Sequence, residues 1–227
     1  MKLTQLALLA APASAVLGNW TLVKLTDAAT QKGAVCLDGS PSAYYIRQPL
    51  VAEEVAGRNQ WLIFHEGGGW CVNDQNCFLR SQSDLGSSKA YPAAMSKEEA
   101  SDLYDALPGF TVVYAKYCDG SSLTGDRDEP VVVGGNASQT IFYRGRRVLD
   151  ALLDDLLDSK GLAAADTLLY AGCSAGALTA YSHVDYVAAR LPATTTTVGM
   201  GDAMFSLQWR DFAQRNTSDP SSSYYAG

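Results

Sequence analysis

The middle of the chain carries short runs of apolar and β-branched residues that end at glycine or at a polar residue. Residues 61–64, 110–115 and 167–171 form three such runs, and the β-branched stretch 194–200 forms a fourth. Short apolar runs without polar alternation are typical of strands that are buried on both faces of a parallel sheet. We therefore expect these four segments to be strands of one parallel sheet.

In the two stretches between the last three predicted strands, the apolar residues have helical spacing instead of forming continuous runs. The apolar residues that share one helical face are Ile141, Val148, Leu149, Leu152, Leu153 and Leu156. Ser138 is a candidate N-cap for this helix and Gly161 is a candidate stop. A second helix is predicted to begin just after Gly172 and to run to about Arg190. The alternation predicts an α/β fold with a mostly parallel sheet and helices on both faces.

The composition is that of a folded domain. The 227 residues are 47% hydrophobic and 18% charged, which provides a sizeable core and excludes a disordered tail protein. Lys and Arg number 17 against 24 Asp and Glu, a net charge of −7. This balance argues against nucleic acid or an anionic membrane surface as the main partner. No run after the N-terminus approaches the roughly 18 apolar residues of a membrane span, so no membrane-spanning helix is expected there.

The N-terminus has the pattern of a secretory signal peptide. A short positive end at Lys2 precedes a mostly apolar stretch that reaches Leu17 and contains an A-x-A cleavage signal at 13–15. The sequence therefore predicts a signal peptide at residues 1–15. A buried N-terminal helix is the alternative interpretation of the same residues.

The remainder, 16–227, is expected to be one incomplete secreted domain with a loose tail from about residue 216. Three N-glycosylation sequons, at Asn19, Asn136 and Asn216, fit a secreted glycoprotein. Each such triplet is common by chance, so the sequons only support the signal-peptide prediction.

Secretion changes how the five cysteines are interpreted, because an oxidising compartment favours disulfides. Cys71 and Cys77 are close enough in sequence to close a small loop, which makes Cys36 and Cys118 the second pair. Four cysteines allow three pairings, so the other pairings stay open at this point. Cys173 lies in a strand-like apolar run and is expected to be the buried unpaired thiol. A zinc site is disfavoured, because the sequence has no C-x2-C pair and only two histidines.

A G-x-S-x-G pentapeptide at 172–176, with Ser174 at its centre, follows a predicted strand and opens a predicted helix. This is the setting of a nucleophile elbow, in which the turn is too tight for side chains two places on either side of the nucleophile. The serine is displayed at the carboxyl edge of the sheet, beside the partial positive charge of a helix N-terminus. A glycine turn with an inert serine is the alternative.

A second motif, His65-Glu66-Gly67-Gly68-Gly69-Trp70, follows the first predicted central strand. In α/β-hydrolases a glycine loop of this type supplies the other half of the oxyanion hole. Consecutive glycines let backbone N–H groups turn toward a carbonyl oxygen without Cβ clashes. The order of the two motifs predicts a serine hydrolase of the α/β-hydrolase type.

These motifs belong to a longer series, through which the sequence resembles the pectin acetylesterase family, which includes the Notum carboxylesterases. The matching segments are 36–41 with Tyr44-Tyr45, 61–71 with Cys77, 116–120, 125–126, 142–147, 172–176 and 201–203. Their order and spacing extend over about residues 34 to 206.

The resemblance implies a secreted serine esterase of the α/β-hydrolase type that needs no metal or other cofactor. It implies Ser174 as the nucleophile. It also implies the backbone N–H groups of Gly67, Gly68 and Ala175 as the donors of the oxyanion hole.

The resemblance further implies the disulfide pairs Cys71–Cys77 and Cys36–Cys118. The plant and microbial members of the family are associated with removing acetyl groups from pectin. The Notum branch removes a fatty acyl group from a signalling protein.

The general base that a serine nucleophile needs is not evident in the sequence. His183 lies nine residues after Ser174, about 13 Å along a helix that rises about 1.5 Å per residue, which is too far for a hydrogen bond. We expect His65 to shape the glycine loop and Asp202 to be structural. The family's acid and histidine lie further along, so this chain is expected to be the N-terminal portion of an esterase, inactive by itself.

An acidic cluster follows the second predicted strand. Its members are Asp119, Asp126, Asp128 and Glu129. Their spacing is not that of an EF-hand calcium loop, so a solvated loop is expected.

The expected function is the removal of acetyl groups from pectin or a similar cell-wall polysaccharide by an extracellular esterase. One alternative is a Notum-like carboxylesterase for palmitoleoyl esters, which a deep apolar pocket beside Ser174 would favour. Another is a non-catalytic pseudoenzyme or carbohydrate-binding protein, which the lack of a usable histidine favours.

Overall fold

The structure, a computed structural model, describes residues 20–49, 58–95 and 107–205. The predicted signal peptide, the predicted tail and the sequons at Asn19 and Asn216 lie outside the described residues. In these ranges no helix combines the length and the apolar character that are needed to cross a lipid bilayer.

Eight strands and four α-helices are present in the described chain. The strands are β1 (Thr21–Lys24), β2 (Ala43–Arg47), β3 (Gln60–His65), β4 (Phe110–Ala115), β5 (Val131–Val132), β6 (Thr140–Ile141), β7 (Thr167–Cys173) and β8 (Thr196–Asp202). The helices are α1 (Thr26–Lys32), α2 (Asp74–Arg80), α3 (Gly145–Ser159) and α4 (Ala175–Arg190). Short 3-10 turns occupy Val133–Gly135 and Leu162–Ala164.

Six strands form one sheet in the order β1-β2-β4-β3-β7-β8, of which β4, β3, β7 and β8 are parallel. His65 lies opposite Ala115 on one side and Gly172 on the other, and Gly172 lies opposite Gly201. The segments that follow β3, β7 and β8 therefore leave the sheet side by side. The predicted α/β-hydrolase-like fold class is confirmed, with an antiparallel β1–β2 edge that sequence analysis did not identify.

Two hydrophobic layers explain why the central strands are continuous apolar runs. On one face of the sheet, Leu149 and Leu153 of α3 pack in a cluster with Ile63 of β3. On the other face, Trp20 and Met95 pack against the sheet. Because β3 is covered on both sides, almost every one of its residues is buried.

The start of α3 differs from the prediction. The helix begins at Gly145, and the predicted N-cap Ser138 instead donates its hydroxyl and its N–H to Oδ1 of Asn136, in a turn before β6. Such local hydrogen bonds compete with helix formation, which explains the later start. The predicted stop is correct, since Gly161 has a φ of 93° just beyond the helix end, a conformation that favours glycine.

Strand β8 forms one edge of the sheet in the described part of the chain. It pairs with β7 only, and most of its residues are exposed or half-buried. The outer backbone groups of such an edge strand have no strand partner. Within the described residues, Ser174 therefore lies one strand in from the edge strand β8.

Two disulfides join Cys36 to Cys118 and Cys71 to Cys77. These are the two pairs that the sequence favours. Cys173 is the free thiol. It is half-buried rather than fully buried as expected, because it is the last residue of β7 and lies at the carboxyl edge of the sheet.

Replacing both Cys36 and Cys118 with serine is expected to lower the free energy of unfolding by about 4 to 5 kcal/mol, because this bond closes a long loop of the unfolded chain. The paired cysteines are 82 residues apart. The matched control is the double serine variant of Cys71 and Cys77, which are six residues apart, and its expected loss is about 2 kcal/mol. Urea unfolding followed by tryptophan fluorescence measures both, and equal losses would contradict the loop-length argument.

Candidate active site

Ser174 occupies a sharp turn between β7, which ends at Cys173, and α4, which begins at Ala175. Its φ of 55° and ψ of −117° lie in a region that residues with a Cβ rarely adopt. Such a conformation costs on the order of 1 to 3 kcal/mol and persists only where the surroundings hold it. The serine is half-exposed, so its hydroxyl lies at the carboxyl edge of the sheet.

The two glycines of the pentapeptide are required by close backbone contacts. A Cβ on Gly172 would lie 2.2 Å from the carbonyl oxygen of Gly176. A Cβ on Gly176 would lie 2.1 Å from the carbonyl oxygen of His65 and 2.7 Å from that of Glu66. These distances leave no room for a side chain, so the helix can approach β3 only with glycine at 176.

The glycine loop lies directly against this turn. A Cβ on Gly67 would lie 3.2 Å from the Cβ of Ser174 and 2.5 Å from the carbonyl oxygen of Cys173. Gly68 and Gly69 have φ values of 133° and 67°, which favour glycine. The two motifs are therefore in contact at one point on the sheet edge.

Backbone donors without a protein acceptor occur in both of the segments that meet at Ser174. Among the described residues, the N–H groups of Gly67, Gly68 and Ala175 donate to no protein acceptor. Ala175 is the first residue of α4, where N–H groups have no partner within the helix and the helix dipole favours negative charge. Free N–H groups in such a position can bind a negatively charged oxygen.

The carboxylate of Glu66 attaches the glycine loop to the end of β4. It accepts a hydrogen bond from the ammonium group of Lys116 at 2.5 Å and another from the N–H of Tyr117 at 2.8 Å. Lys116 is buried and Glu66 is largely so, which strengthens the ion pair relative to a surface pair. The start of the loop is therefore held in place by its neighbouring strand.

Neither histidine makes a hydrogen bond to Ser174 in the described structure. The ring of His65 packs edge-on against Tyr170, with centroids 4.8 Å apart, and burial lowers its pKa to about 3. That pKa is too low for an effective general base near neutral pH. His183 is buried on α4 with Nε2 3.4 Å from the carbonyl oxygen of Ser122, and burial lowers its pKa as well.

A family model described as Pectinacetylesterase matches residues 14–225. The chain belongs to the pectinacetylesterase family. This confirms the resemblance that the motifs predict.

The relatives include pectin acetylesterases and Notum carboxylesterases. The chain is 34% identical over 193 residues to pectin acetylesterase 11 of Arabidopsis thaliana, which covers 82% of this chain and 46% of the relative. It is 35% identical to Arabidopsis pectin acetylesterase 7 with the same coverage. It is 32% identical to palmitoleoyl-protein carboxylesterase notum1 of Xenopus laevis over 69% of this chain and 31% of the relative. The matched region thus spans less than half the length of these relatives.

The backbone of Asp202 supports the turn at Ser174 in this pectinacetylesterase family member. Its carbonyl oxygen accepts the N–H of Ser174 at 2.9 Å. Its carboxylate faces the Cys173 thiol, and this contact adds to burial in raising the pKa of that thiol. Both contacts are consistent with the structural role expected for Asp202.

Asp119 is completely buried, which corrects the prediction that its acidic cluster is a solvated loop. The other members of the cluster, Asp126, Asp128 and Glu129, are exposed as predicted. One carboxylate oxygen accepts the N–H and hydroxyl of Ser121 and the N–H of Leu123. Burial raises the pKa of Asp119. Gly145 leaves room for this carboxylate, because a Cβ there would lie 2.2 Å from it.

The described residues contain no group of three or more His, Cys, Asp or Glu side chains arranged to hold a metal ion.

Proposed function

We propose that this chain carries the nucleophile and the oxyanion hole of a secreted serine esterase that removes acetyl groups from pectin or a similar cell-wall polysaccharide. The observation that carries the proposal is the contact between Gly67 and the strained turn at Ser174. A free N–H donor on each side of one hydroxyl is the arrangement that acyl transfer requires.

In the proposed reaction, the Ser174 oxygen attacks the acetyl carbonyl carbon and loses its proton to a general base. The N–H groups of Gly67, Gly68 and Ala175 hold the negative oxygen of the tetrahedral intermediate. The bond to the sugar oxygen then breaks, and that oxygen takes a proton as the alcohol leaves. Water attacks the acetyl-enzyme in the same way and releases acetate.

We propose that the triad acid and base come from outside residues 1–227. Both histidines of the sequence are within the described ranges, and each is engaged away from Ser174. The length of the curated relatives is consistent with such residues, since the matched region covers 46% of Arabidopsis pectin acetylesterase 11.

An acetylated polysaccharide is the favoured substrate, because similarity to the pectin acetylesterases covers more of the chain than similarity to notum1 does. A groove of about 430 Å³ that is open to solvent, as a polymer requires, adjoins the end of the glycine loop at Trp70, and Ser174 is not among its lining residues. It is lined by Trp70, Cys71, Gly120, Ser121, Thr124 and Leu178. The apolar members Trp70 and Leu178 favour the second candidate, hydrolysis of a fatty acyl ester such as palmitoleate.

The test uses the 227-residue chain and a joined protein, in which this chain is followed by the part of Arabidopsis pectin acetylesterase 11 that lies beyond the matched region. We expect the joined protein to release acetate from acetylated pectin and the 227-residue chain to release none. Faster cleavage of a palmitoleoylated peptide would favour the second candidate. Pectin binding without any turnover in the joined protein would favour a binding protein, and acetate release by the 227-residue chain would contradict an external base.

An extracellular location is part of the proposal. The two disulfides are typical of an oxidising compartment. Asn136 is exposed in a surface turn, where its sequon is accessible for glycosylation. The signal peptide at 1–15 remains a sequence prediction.

A further inference from the structure

The hydroxyl of Ser122 contacts both halves of the proposed oxyanion hole. It donates to the carbonyl oxygen of Ala175 at 2.8 Å and accepts from the indole N–H of Trp70 at 2.7 Å. Ala175 directly follows the proposed nucleophile, and Trp70 directly follows the glycine loop. One completely buried side chain therefore connects two segments that are distant in sequence.

Tyr117 makes a second connection to the glycine loop. Its hydroxyl donates to the carbonyl oxygen of Gly69 at 2.9 Å and accepts from the N–H of Ser122 at 3.2 Å. Burial raises the pKa of this phenol, so it keeps its proton and remains a donor. The hydroxyls of Tyr117 and Ser122 thus each use their single hydrogen on a backbone carbonyl of the site.

Arg80 contacts the glycine loop one residue earlier, at Gly68. Its Nη1 donates to the carbonyl oxygen of Gly68 at 2.9 Å, and its guanidinium lies over the ring of Tyr117, 4.9 Å from the centroid. A run of glycines has many alternative backbone conformations. Hydrogen bonds to its carbonyls from Arg80 and Tyr117 therefore select one of them.

The segment that presents Ser122 is itself held in a strained conformation. Ser122 and Leu123 have φ values of 52° and 58°, where residues with a Cβ are disfavoured. Such conformations persist only when the surroundings hold them. The Asp119 carboxylate does so, since it accepts the N–H groups of Ser121 at 3.2 Å and of Leu123 at 3.0 Å.

We propose that Ser122 and Tyr117 are positioning residues that hold the glycine loop and the elbow at a fixed separation, so that the oxyanion donors converge on one point. The proposal rests on the proposed esterase function. A planar peptide moves as a unit, so a hydrogen bond to its carbonyl also fixes the N–H of the following residue. The bonds from Tyr117 and Ser122 therefore fix the Gly69–Trp70 and Ala175–Gly176 peptides, which directly adjoin the residues that carry the proposed donors. Donors that are already oriented stabilise the oxyanion without reorganisation during the reaction.

The first test measures steady-state kinetics of the joined protein with acetylated pectin and with a small acetyl ester. Ser122→Ala and Tyr117→Phe are expected to lower kcat by about tenfold to a hundredfold, because displaced reacting groups lose rate, with KM changed by less than about twofold. The matched controls are Ser42→Ala and Tyr45→Phe. These two hydroxyls are also buried and donate to backbone carbonyls, of Ala34 and Pro92, away from the site.

The second test measures amide hydrogen exchange in the 227-residue chain at Glu66 and Cys71, whose N–H groups donate to the carbonyl oxygens of Ala115 and Gly120 at the two ends of the glycine loop. Both variants are expected to exchange faster at these two amides than the wild type and the two controls. Tyr117→Phe removes the donor to the Gly69 carbonyl, and Ser122→Ala removes the acceptor of the Trp70 indole N–H. Thermal unfolding of each variant shows whether it is folded, and Tyr117→Phe gives an independent result if Ser122→Ala fails to fold.

A lower kcat and faster amide hydrogen exchange at the loop in folded variants would support the proposal. Unchanged kcat and unchanged loop exchange in a folded variant would overturn it, as would a rise in KM with unchanged kcat. If the joined wild-type protein hydrolyses no ester, the esterase proposal fails. In that case the exchange measurement still decides whether Ser122 and Tyr117 fix the loop.

Discussion

Replacing Ser174 with alanine is expected to abolish acetate release by the joined protein, with a loss of at least about 10⁴-fold in kcat. The serine oxygen forms the acyl bond in the proposed reaction, and Ser174 occupies the turn that meets the glycine loop at Gly67. The fold should persist, because alanine retains the Cβ and leaves the contact with Gly67 unchanged. Acetate release and thermal unfolding measure the two effects.

Ser182→Ala is the control for this experiment. Ser182 is an exposed residue of α4, in the same helix as the elbow, and its loss should leave both kcat and the unfolding temperature near the wild-type values. Acetate release by Ser174→Ala at the wild-type rate would contradict the assignment of the nucleophile. Loss of activity together with loss of the fold would instead show that Ser174 is needed for the turn itself.

Replacing Gly176 with alanine is expected to destabilise the protein by about 3 kcal/mol or more, because the added methyl group would be forced into a packed backbone. The new Cβ would lie 2.1 Å from the carbonyl oxygen of His65. No rotamer relieves this contact, since the backbone fixes the position of a Cβ and the carbonyl oxygen is itself a backbone atom. Helix α4 would have to move away from β3, which would also separate Ser174 from Gly67. Urea unfolding of the 227-residue chain measures the loss.

Gly199→Ala is the matched control for the same change. The nearest atom to its added Cβ would be Cγ2 of Val184, 3.2 Å away, which is the end of a side chain that can shift. The expected loss is below about 1 kcal/mol, within the range of a tolerated change. Equal destabilisation by the two substitutions would contradict the argument that the elbow requires glycine for steric reasons.

The central strands could be predicted because burial on both faces leaves a direct mark on the sequence. The runs at 61–64, 110–115 and 167–171 correspond to β3, β4 and β7. Strands β1 and β2 were not predicted, because Thr21–Lys24 is short and mixed and Ala43–Arg47 ends in a charged residue. Arg47 is buried nonetheless, which depends on packing that no local pattern reports.

The amino-acid sequence by itself indicated the elbow, the glycine loop and the family, because positions that must be glycine leave a short, recognisable pattern of residues in the chain. Only the tertiary structure showed that Asp119 is buried, that Ser122 joins the two motifs and that both histidines are engaged elsewhere. Those features depend on strand register and on contacts between distant segments. A single serine, aspartate or histidine carries no sequence signal of which distant backbone group it will meet.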